Sequence, residues 1–188
     1  VMAVLALGSF MSMATMWMNS GALFSDTTDN TGDSWSTGAV DLTDNDSGSA
    51  LFNVTNLVPG QTGTRCIKVT YDSTYKGDVN IYSSGYDAGA DTLAPLLDLE
   101  ITEGTGSADA SCTNFVADDD PIFEDDLAAF GAATDFAGGF GAWTPDPATP
   151  ATMTRDYKIT YTLSAGAGNE AVNKSATVNF VWEVHATE

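Results

Sequence analysis

The side chains of this sequence that are most able to bind a metal ion are carboxylates, and some of them are clustered in two short runs. The two runs are Asp118, Asp119 and Asp120, and Glu124, Asp125 and Asp126. Ca²⁺ takes about six to eight oxygen ligands, many of them carboxylates and carbonyls of flexible loops. The runs therefore indicate a weak calcium site, although their spacing matches no EF-hand. A solvated acidic loop without a metal is the simpler interpretation.

The remaining polar residues do not form a recognisable catalytic set. The chain has a single histidine, His185, which cannot supply the three protein ligands of a typical catalytic zinc site. We expect this histidine to lie in a frayed terminal segment. No H-E-x-x-H, G-x-S-x-G or phosphate-binding glycine loop occurs in the sequence. The sequence therefore predicts a protein that is not an enzyme, with no small-molecule substrate and no cofactor beyond the calcium considered above.

The two cysteines of the chain are Cys66 and Cys112. Neither has a nearby Cys or His that would complete a metal site. An exported chain meets oxidising conditions, in which an even pair of cysteines indicates a disulfide. We therefore predict a bridge between them, and the chain-entropy argument gives it about 3 to 4 kcal/mol of stability.

The charge of the chain limits its partners. Asp and Glu number 26 against six Lys and Arg, which gives a net charge of −20. Nucleic acids and anionic membrane surfaces require basic patches, so neither is an expected partner. A charge of this size also opposes self-association, so any assembly should be helped by salt or divalent cations. Adaptation to a saline medium is an equally good explanation of the acidity.

The first part of the chain is apolar, and residues 1–22 contain no Asp, Glu, Lys or Arg. About 20 apolar residues are enough to cross a bilayer as a helix. Ser20, Gly21 and Ala22 form a small-residue pattern typical of signal-peptide cleavage, which would leave Leu23 as the mature N-terminus. A retained hydrophobic arm is the alternative, because a basic n-region is missing. We expect a secreted protein, extracellular or on the cell surface, that meets the membrane only transiently during export.

The rest of the chain has the pattern of short strands. Segments that alternate apolar and polar residues at the period of a half-buried strand are residues 50–56, 65–71, 78–83, 96–102, 157–163 and 177–184. Pro59-Gly60 and Lys76-Gly77 are expected to break the chain between the first three. Many short strands with Gly, Pro and Asp turns predict an all-β fold, a single β-sandwich of jelly-roll type with an extended N-terminal segment.

One long segment departs from the strand pattern. Residues 117–150 are rich in Gly, Ala, Asp and Pro, which predicts a long, acidic and poorly structured loop insert. Within it, residues 123–130 could form two helical turns. Outside it, Asn45 and Asn53 begin N-x-Ser/Thr sequons, as does Asn173. These sequons matter only in a host that glycosylates them.

The boundary between the apolar run and the strands carries a resemblance to a known family. Residues 24–42, FSDTTDNTGDSWSTGAVDL, resemble the N-terminal signature of the TasA/camelysin family, whose members are exported with a SipW-type signal. LFNVTNLVPGQTGTRCIKVTY resembles the Pro-Gly-turn segment of that family, and YKITYTL and KSATVNFVWEV resemble its closing strands. The two cysteines resemble those of actinobacterial members. The acidic insert is the least typical part.

The resemblance implies a jelly-roll subunit of extracellular fibres, in a biofilm matrix or on the cell surface. In such fibres an N-terminal strand of one subunit completes the sheet of its neighbour, so the partner is a second copy of the chain. An incoming strand satisfies the unpaired backbone groups of a sheet edge, and head-to-tail insertion propagates as a filament. In a domain that spans residues 23–188, the candidate donor strand is residues 23–42. Its candidate interface residues are Leu23, Phe24, Trp35, Val40 and Leu42.

Alternatives to this interpretation remain open. Ordinary packing within one subunit explains Trp35, Val40 and Leu42 equally well. If residues 1–22 are retained, the Met-rich run at residues 11–18 becomes a rival donor. A monomeric secreted adhesion domain is the alternative function. The metallopeptidase activity associated with camelysin is less expected, because one histidine makes a poor zinc site.

Overall fold

The computed structural model describes residues 25–29, 40–46, 49–87, 93–147 and 151–187. Within these residues the chain forms ten β-strands, one short α-helix and three single-turn 3₁₀-helices. No helix in this part of the chain is long and apolar enough to cross a membrane. The apolar run at residues 1–22 lies outside the described residues.

The strands differ widely in length. They are β1 (Ser25–Asp29), β2 (Val40–Asp44), β3 (Thr62–Ser73), β4 (Lys76–Asp87), β5 (Leu97–Thr105), β6 (Val116–Ala117), β7 (Phe123–Asp126), β8 (Phe140–Trp143), β9 (Ala151–Leu163) and β10 (Thr177–Thr187). The helix α1 (Leu127–Ala132) follows β7 directly. The long strands β3, β4, β9 and β10 therefore carry most of the sheet structure.

The strands form two antiparallel sheets that pack face to face. In the first sheet the order is β1-β10-β4-β8, and in the second it is β2-β3-β9-β5-β6, with β7 also paired to β5. Most connections pass from one sheet to the other, as from β3 to β4, from β8 to β9 and from β9 to β10. The prediction of an all-β sandwich is thus confirmed.

The core lies between the inward faces of the two sheets. In β3, Ile67, Val69 and Tyr71 are buried at every second position, as the pleat of a strand requires. The fully buried Trp182 of β10 and Tyr157 of β9 approach from opposite sheets, with ring centroids 5.5 Å apart. The alternation seen in the sequence at residues 65–71, 157–163 and 177–184 therefore does mark core-facing strands.

Two local predictions are wrong. Residues 50–56 form no strand but an irregular segment, in which Leu51 and Phe52 pack against the core. The alternation there reflects one apolar side that lies against the sandwich, which does not require pairing with a neighbouring strand. Lys76 and Gly77 do not break the chain but begin β4, because the tight turn lies one step earlier at residues 74–75.

The prediction that residues 117–150 form a poorly structured insert is also wrong. It contains β7, α1 and β8, and its side chains Phe123, Leu127, Phe130 and Trp143 are buried in the core. Asp126 caps α1 by accepting a hydrogen bond from the backbone N–H of Ala129 at 2.8 Å. Widely spaced aromatic residues are thus enough to anchor a segment whose Gly, Ala and Asp content is typical of a loop.

The predicted disulfide between Cys66 and Cys112 is present, with their Cα atoms 5.0 Å apart. It joins β3 to the loop that follows β5. The backbone N–H of Cys66 also donates to the carbonyl oxygen of Ala110 at 3.0 Å. In the same loop, the N–H of Ser107 donates to the buried Asp156 at 2.7 Å. The bridge therefore belongs to a set of contacts that hold this loop against the outer face of the second sheet.

Candidate functional site

An apolar groove opens at one end of the sandwich in the part of the chain that the structure describes. Its volume is about 930 Å³. The floor consists of inward-facing residues of β5 and β9, including Leu97, Leu99 and Leu163. The walls are the irregular segment at residues 50–58 and residues 171–180, which run into β10. The groove thus reaches the edge of the hydrophobic core at this end of the molecule.

Exposed hydrophobic side chains gather around this groove. Among the described residues, the large hydrophobic side chains that stand out as exposed are Val54, Val58, Tyr75, Val116 and Val172. The three valines at positions 54, 58 and 172 line the groove. A contiguous apolar patch of this kind marks an interaction surface more often than scattered apolar residues do. The groove is therefore suited to receive an apolar or partly apolar segment.

The charge of the groove differs from that of the whole chain. The chain has 26 acidic residues, yet none of the described residues that line the groove is Asp or Glu. The one charged residue among them is Lys174, which is exposed. The remaining polar lining consists of neutral side chains such as Asn173 and Asn179. This is therefore a place where an acidic chain could approach without meeting like charge.

The sheet edge beside the groove is formed by β1. Its register pairs Ser25 with His185 and Asp29 with Val181, in antiparallel orientation. All five residues of β1 are polar, SDTTD, so little apolar surface holds this edge strand in place. In the described residues β1 pairs with β10 only as far as Val181, and the next part of β10, Thr177–Phe180, lines the groove. The groove thus continues the line of β1.

The predicted interface residues fall into different places. Leu23, Phe24 and Trp35 lie outside the described residues. Val40 begins β2, where it pairs with Ser73 of the same chain, and Leu42 is fully buried in the core. The end of the candidate donor segment, residues 40–42, is thus an edge strand of its own sandwich. Leu42 has the intramolecular packing that we considered as the alternative.

The acidic runs have local structural partners. Asp118 forms an ion pair with Arg155, and Asp126 caps α1 as described above. Asp119, Asp120 and Glu124 are exposed. The described residues contain no group of three or more His, Cys, Asp or Glu side chains placed to hold a metal ion. The calcium site stays a prediction, and the ion pair and the cap explain two of its carboxylates without a metal.

The expectation that His185 is frayed is wrong. Its ring stacks on Phe136 with centroids 3.6 Å apart, and its Nε2 lies 2.7 Å from Oε1 of Glu183. The hydroxyl of Tyr82 donates to the other oxygen of Glu183 at 2.8 Å. These contacts fix the outer face of β10, directly beside β1. His185 is therefore part of the surface against which β1 lies.

The sequons lie at exposed positions, and the asparagine of one of them lines the groove. Asn173, with φ of 57°, lines one wall of the groove, whereas Asn53 lies in the segment of the other wall without lining the groove itself. The side-chain oxygen of Asn45 accepts a hydrogen bond from the backbone N–H of Lys68 at 2.9 Å. Glycosylation of all three stays a prediction that depends on the host.

A buried polar cluster occupies the opposite end of the sandwich. Glu103 of β5 is 5% exposed, and its Oε1 accepts from the backbone N–H of Ala142 in β8 at 3.1 Å. Burial raises the pKa of Glu103 above its usual value, although Arg155 opposes the shift. Burial and the nearby Glu103 charge raise the pKa of Tyr157 well above normal. Because Glu103 links β5 of one sheet to β8 of the other, we assign this cluster a structural role.

The raised pKa of Glu103 predicts a pH effect on stability. The ionised form is disfavoured in the folded state, so wild-type stability should fall as pH rises from about 4.5, the unfolded value, through the higher folded pKa. Glu103→Gln keeps an oxygen to accept from Ala142 and cannot ionise. Relative to wild type, this variant should therefore gain stability across that pH window, as measured by urea unfolding.

The matched control for this prediction is Glu100→Gln. Glu100 lies on the outer face of the same strand, where its carboxylate is 3.6 Å from Lys158 and partly exposed. This variant controls for the loss of one negative charge. Equal pH profiles for the two variants would contradict the proposed effect of burial at Glu103.

The groove was not predicted from the sequence, and a pattern that places Glu103 on the inward face of its strand was overlooked. The groove is made by residues from separate parts of the chain, and Val54, Val58 and Val172 each look like ordinary surface valines in the sequence. Glu103, by contrast, continues the alternation of Leu99 and Ile101 and so falls on the inward face. A carboxylate at a core-facing position could have been noticed before the structure was known.

A scan against protein-family models finds no match for this chain, and a search of the curated proteins finds no significant similarity.

Proposed function

We propose that this protein is a structural subunit of an extracellular filament that polymerises head-to-tail by exchanging its N-terminal strand. The observation that carries the proposal is the apolar groove that continues the line of β1 along β10 and has no acid among its described lining residues. An incoming strand there would gain backbone hydrogen bonds from the sheet edge and apolar contacts from the groove. The resemblance to the TasA/camelysin family, in its actinobacterial branch, points to the same function.

Exchange of β1 needs no new kind of contact. In one chain β1 pairs with its own β10, and in a filament the β1 of a neighbour would form the same ladder in the same register. The gains and losses at this edge nearly cancel, so the balance depends on protein concentration and on contacts that only the neighbour makes. Because β1 is short and polar, it should open far more easily than a core strand.

The groove supplies a contact beyond this exchange. Continued along an incoming strand, the register that pairs Asp29 with Val181 would reach Thr177, the first residue of β10, at residue 33, and Trp35 would follow two residues later, towards Ser175. Ser175 lines the groove, next to Ala176 and close to the exposed Val172. A buried Trp is a frequent anchor of protein interfaces. We assign Trp35 this role, and we assign Leu42 to the subunit's own core.

The other parts of the proposal are supported in the same way. The alternation of connections between the two sheets supports a jelly-roll topology, with β2 added at one edge. The disulfide fits an oxidising compartment, as expected after export. A matrix or cell-surface location follows from the family resemblance.

Paired cysteines at the exchanged strand provide the test. Thr27 and Glu183 are direct partners in the β1–β10 register, so the double variant T27C/E183C can form a disulfide across this ladder. In filaments formed from residues 23–188, exchange would place the bridge between subunits. We expect a covalent ladder on non-reducing gels and filaments by negative-stain electron microscopy.

Two outcomes would contradict the proposal. Filaments whose oxidised subunits run only as monomers would show that β1 is not exchanged. Wild-type protein that stays monomeric across concentration and salt would instead favour the monomeric adhesion domain. The single variant T27C serves as the control for random cross-linking between subunits.

A further inference from the structure

Most positive charges of this acidic chain are neutralised within the subunit. Lys68, Lys76, Arg155 and Lys158 each form an ion pair with a carboxylate. Arg65 and Lys174 form none with any residue that the structure describes. The guanidinium of Arg65 donates to the carbonyl oxygen of Thr64 on its own strand, away from the groove. Lys174 is exposed and is the charged residue of the groove, so it lies where a partner would dock.

The candidate donor segment is complementary in charge. Residues 23–42 contain four aspartates and no Lys or Arg. Among the described residues that line the groove there is no acid and one cation, so the groove accepts such a segment more readily than an acidic surface does. On a chain of net charge −20, this difference in charge favours the groove over other docking positions.

The register of β1 identifies which aspartate meets the lysine. Continued four residues beyond Asp29, which pairs with Val181, an incoming strand would place its Asp33 across from Thr177. Thr177 lines the groove three positions after Lys174. Lys174 and Thr177 line the same groove, so the aspartate would enter along the wall that carries the lysine.

We propose that Lys174 recognises Asp33 of the neighbouring subunit and thereby fixes the register and direction of the inserted strand. This inference rests on the proposed function, because it assigns the partner residue at the same groove. The contact is a specificity determinant: apolar contacts attract the segment, and the ion pair selects one position of it. A strand shifted by one residue would present its other face and lose the pair.

The contact can be tested by reversing the charge of each partner residue in the full chain and then mixing the two variants. The variants K174E and D33K each oppose two like charges in a homopolymer. Each should raise the protein concentration needed for filament formation by about three- to tenfold at low salt. In an equimolar mixture the two substituted side chains can pair with each other, and the unchanged Asp33 of one variant can pair with the unchanged Lys174 of the other. Assembly should therefore return to within about twofold of wild type.

The controls separate this contact from its alternatives. Lys76→Glu makes the same charge change at an exposed lysine that pairs with Asp146 and does not line the groove. This variant should raise the protein concentration needed for filament formation by less than K174E does. Lys174→Gln should be intermediate between wild type and K174E.

Each result decides a different point. A contact confined to one subunit cannot be rescued by mixing two variants, so a mixture no better than its components overturns the proposal. K174E protein that assembles like wild type overturns it too, while leaving strand exchange intact. Wild-type protein that forms no filaments overturns strand exchange and this contact together.

Discussion

Deleting residues 23–33 should abolish filament formation while leaving the rest of the sandwich folded. The deletion removes β1 and Asp33 but leaves β2, whose Leu42 is fully buried. Three strands of the first sheet and the whole second sheet remain. Because β1 contributes only polar residues, its loss should lower the melting temperature by a few degrees without unfolding the domain. Electron microscopy and circular dichroism measure the two effects.

A synthetic peptide of residues 23–35 makes this prediction sharper. It supplies β1 together with Trp35, so it should bind the deleted chain at the edge of β10 and restore part of its thermal stability. A peptide with Thr27→Pro is the matched control, because proline removes a backbone donor in the middle of the strand. Filaments formed by the deleted chain would refute strand exchange, and an unfolded deleted chain would show that β1 is needed for folding.

The fold class could be predicted from the sequence, because most of the strands bury one face and so alternate apolar and polar residues. In β3, β9 and β10 the apolar residues recur at every second position, and these strands face the core as predicted. The failures have a common cause. Residues 50–56 have the same alternation without strand pairing, and residues 117–150 have a loop-like composition but contribute Phe130 and Trp143 to the core. Local patterns do not reveal which distant residues a segment contacts.

The candidate site was less accessible from the sequence for a related reason. The N-terminal boundary was visible as a change from apolar to acidic polar residues. The groove depends on residues 50–58 and 171–180 lying side by side, and nothing in either segment indicates the other. Lys174 becomes a candidate for recognising a partner only once the structure shows that most of the other Lys and Arg side chains are in ion pairs. That Lys174 has no ion pair with the described residues is a property of the folded arrangement, so it could not be predicted from residue types.

Replacing both cysteines should have the largest effect on the stability of the subunit. The bridge between Cys66 and Cys112 spans 46 residues, and closing a loop of that length is worth about 4 kcal/mol in the chain-entropy argument. For a chain of this size the corresponding loss in melting temperature is about 10 °C. The fold should survive in C66A/C112A, because Asp156 and Ala110 still hold the loop through hydrogen bonds. Calorimetry of the two proteins measures the difference.

Reduction separates the bridge itself from the packing of the cysteine side chains. Wild-type protein in a strong reductant should melt near the temperature of C66A/C112A, whereas the variant should not respond to the reductant. The bridge lies at the loop after β5, away from β1 and the groove, so the reduced subunit should still form filaments below its lowered melting temperature. An unchanged melting temperature on reduction would contradict a stabilising bridge. Loss of filaments well below that temperature would instead place this loop in the contact between subunits.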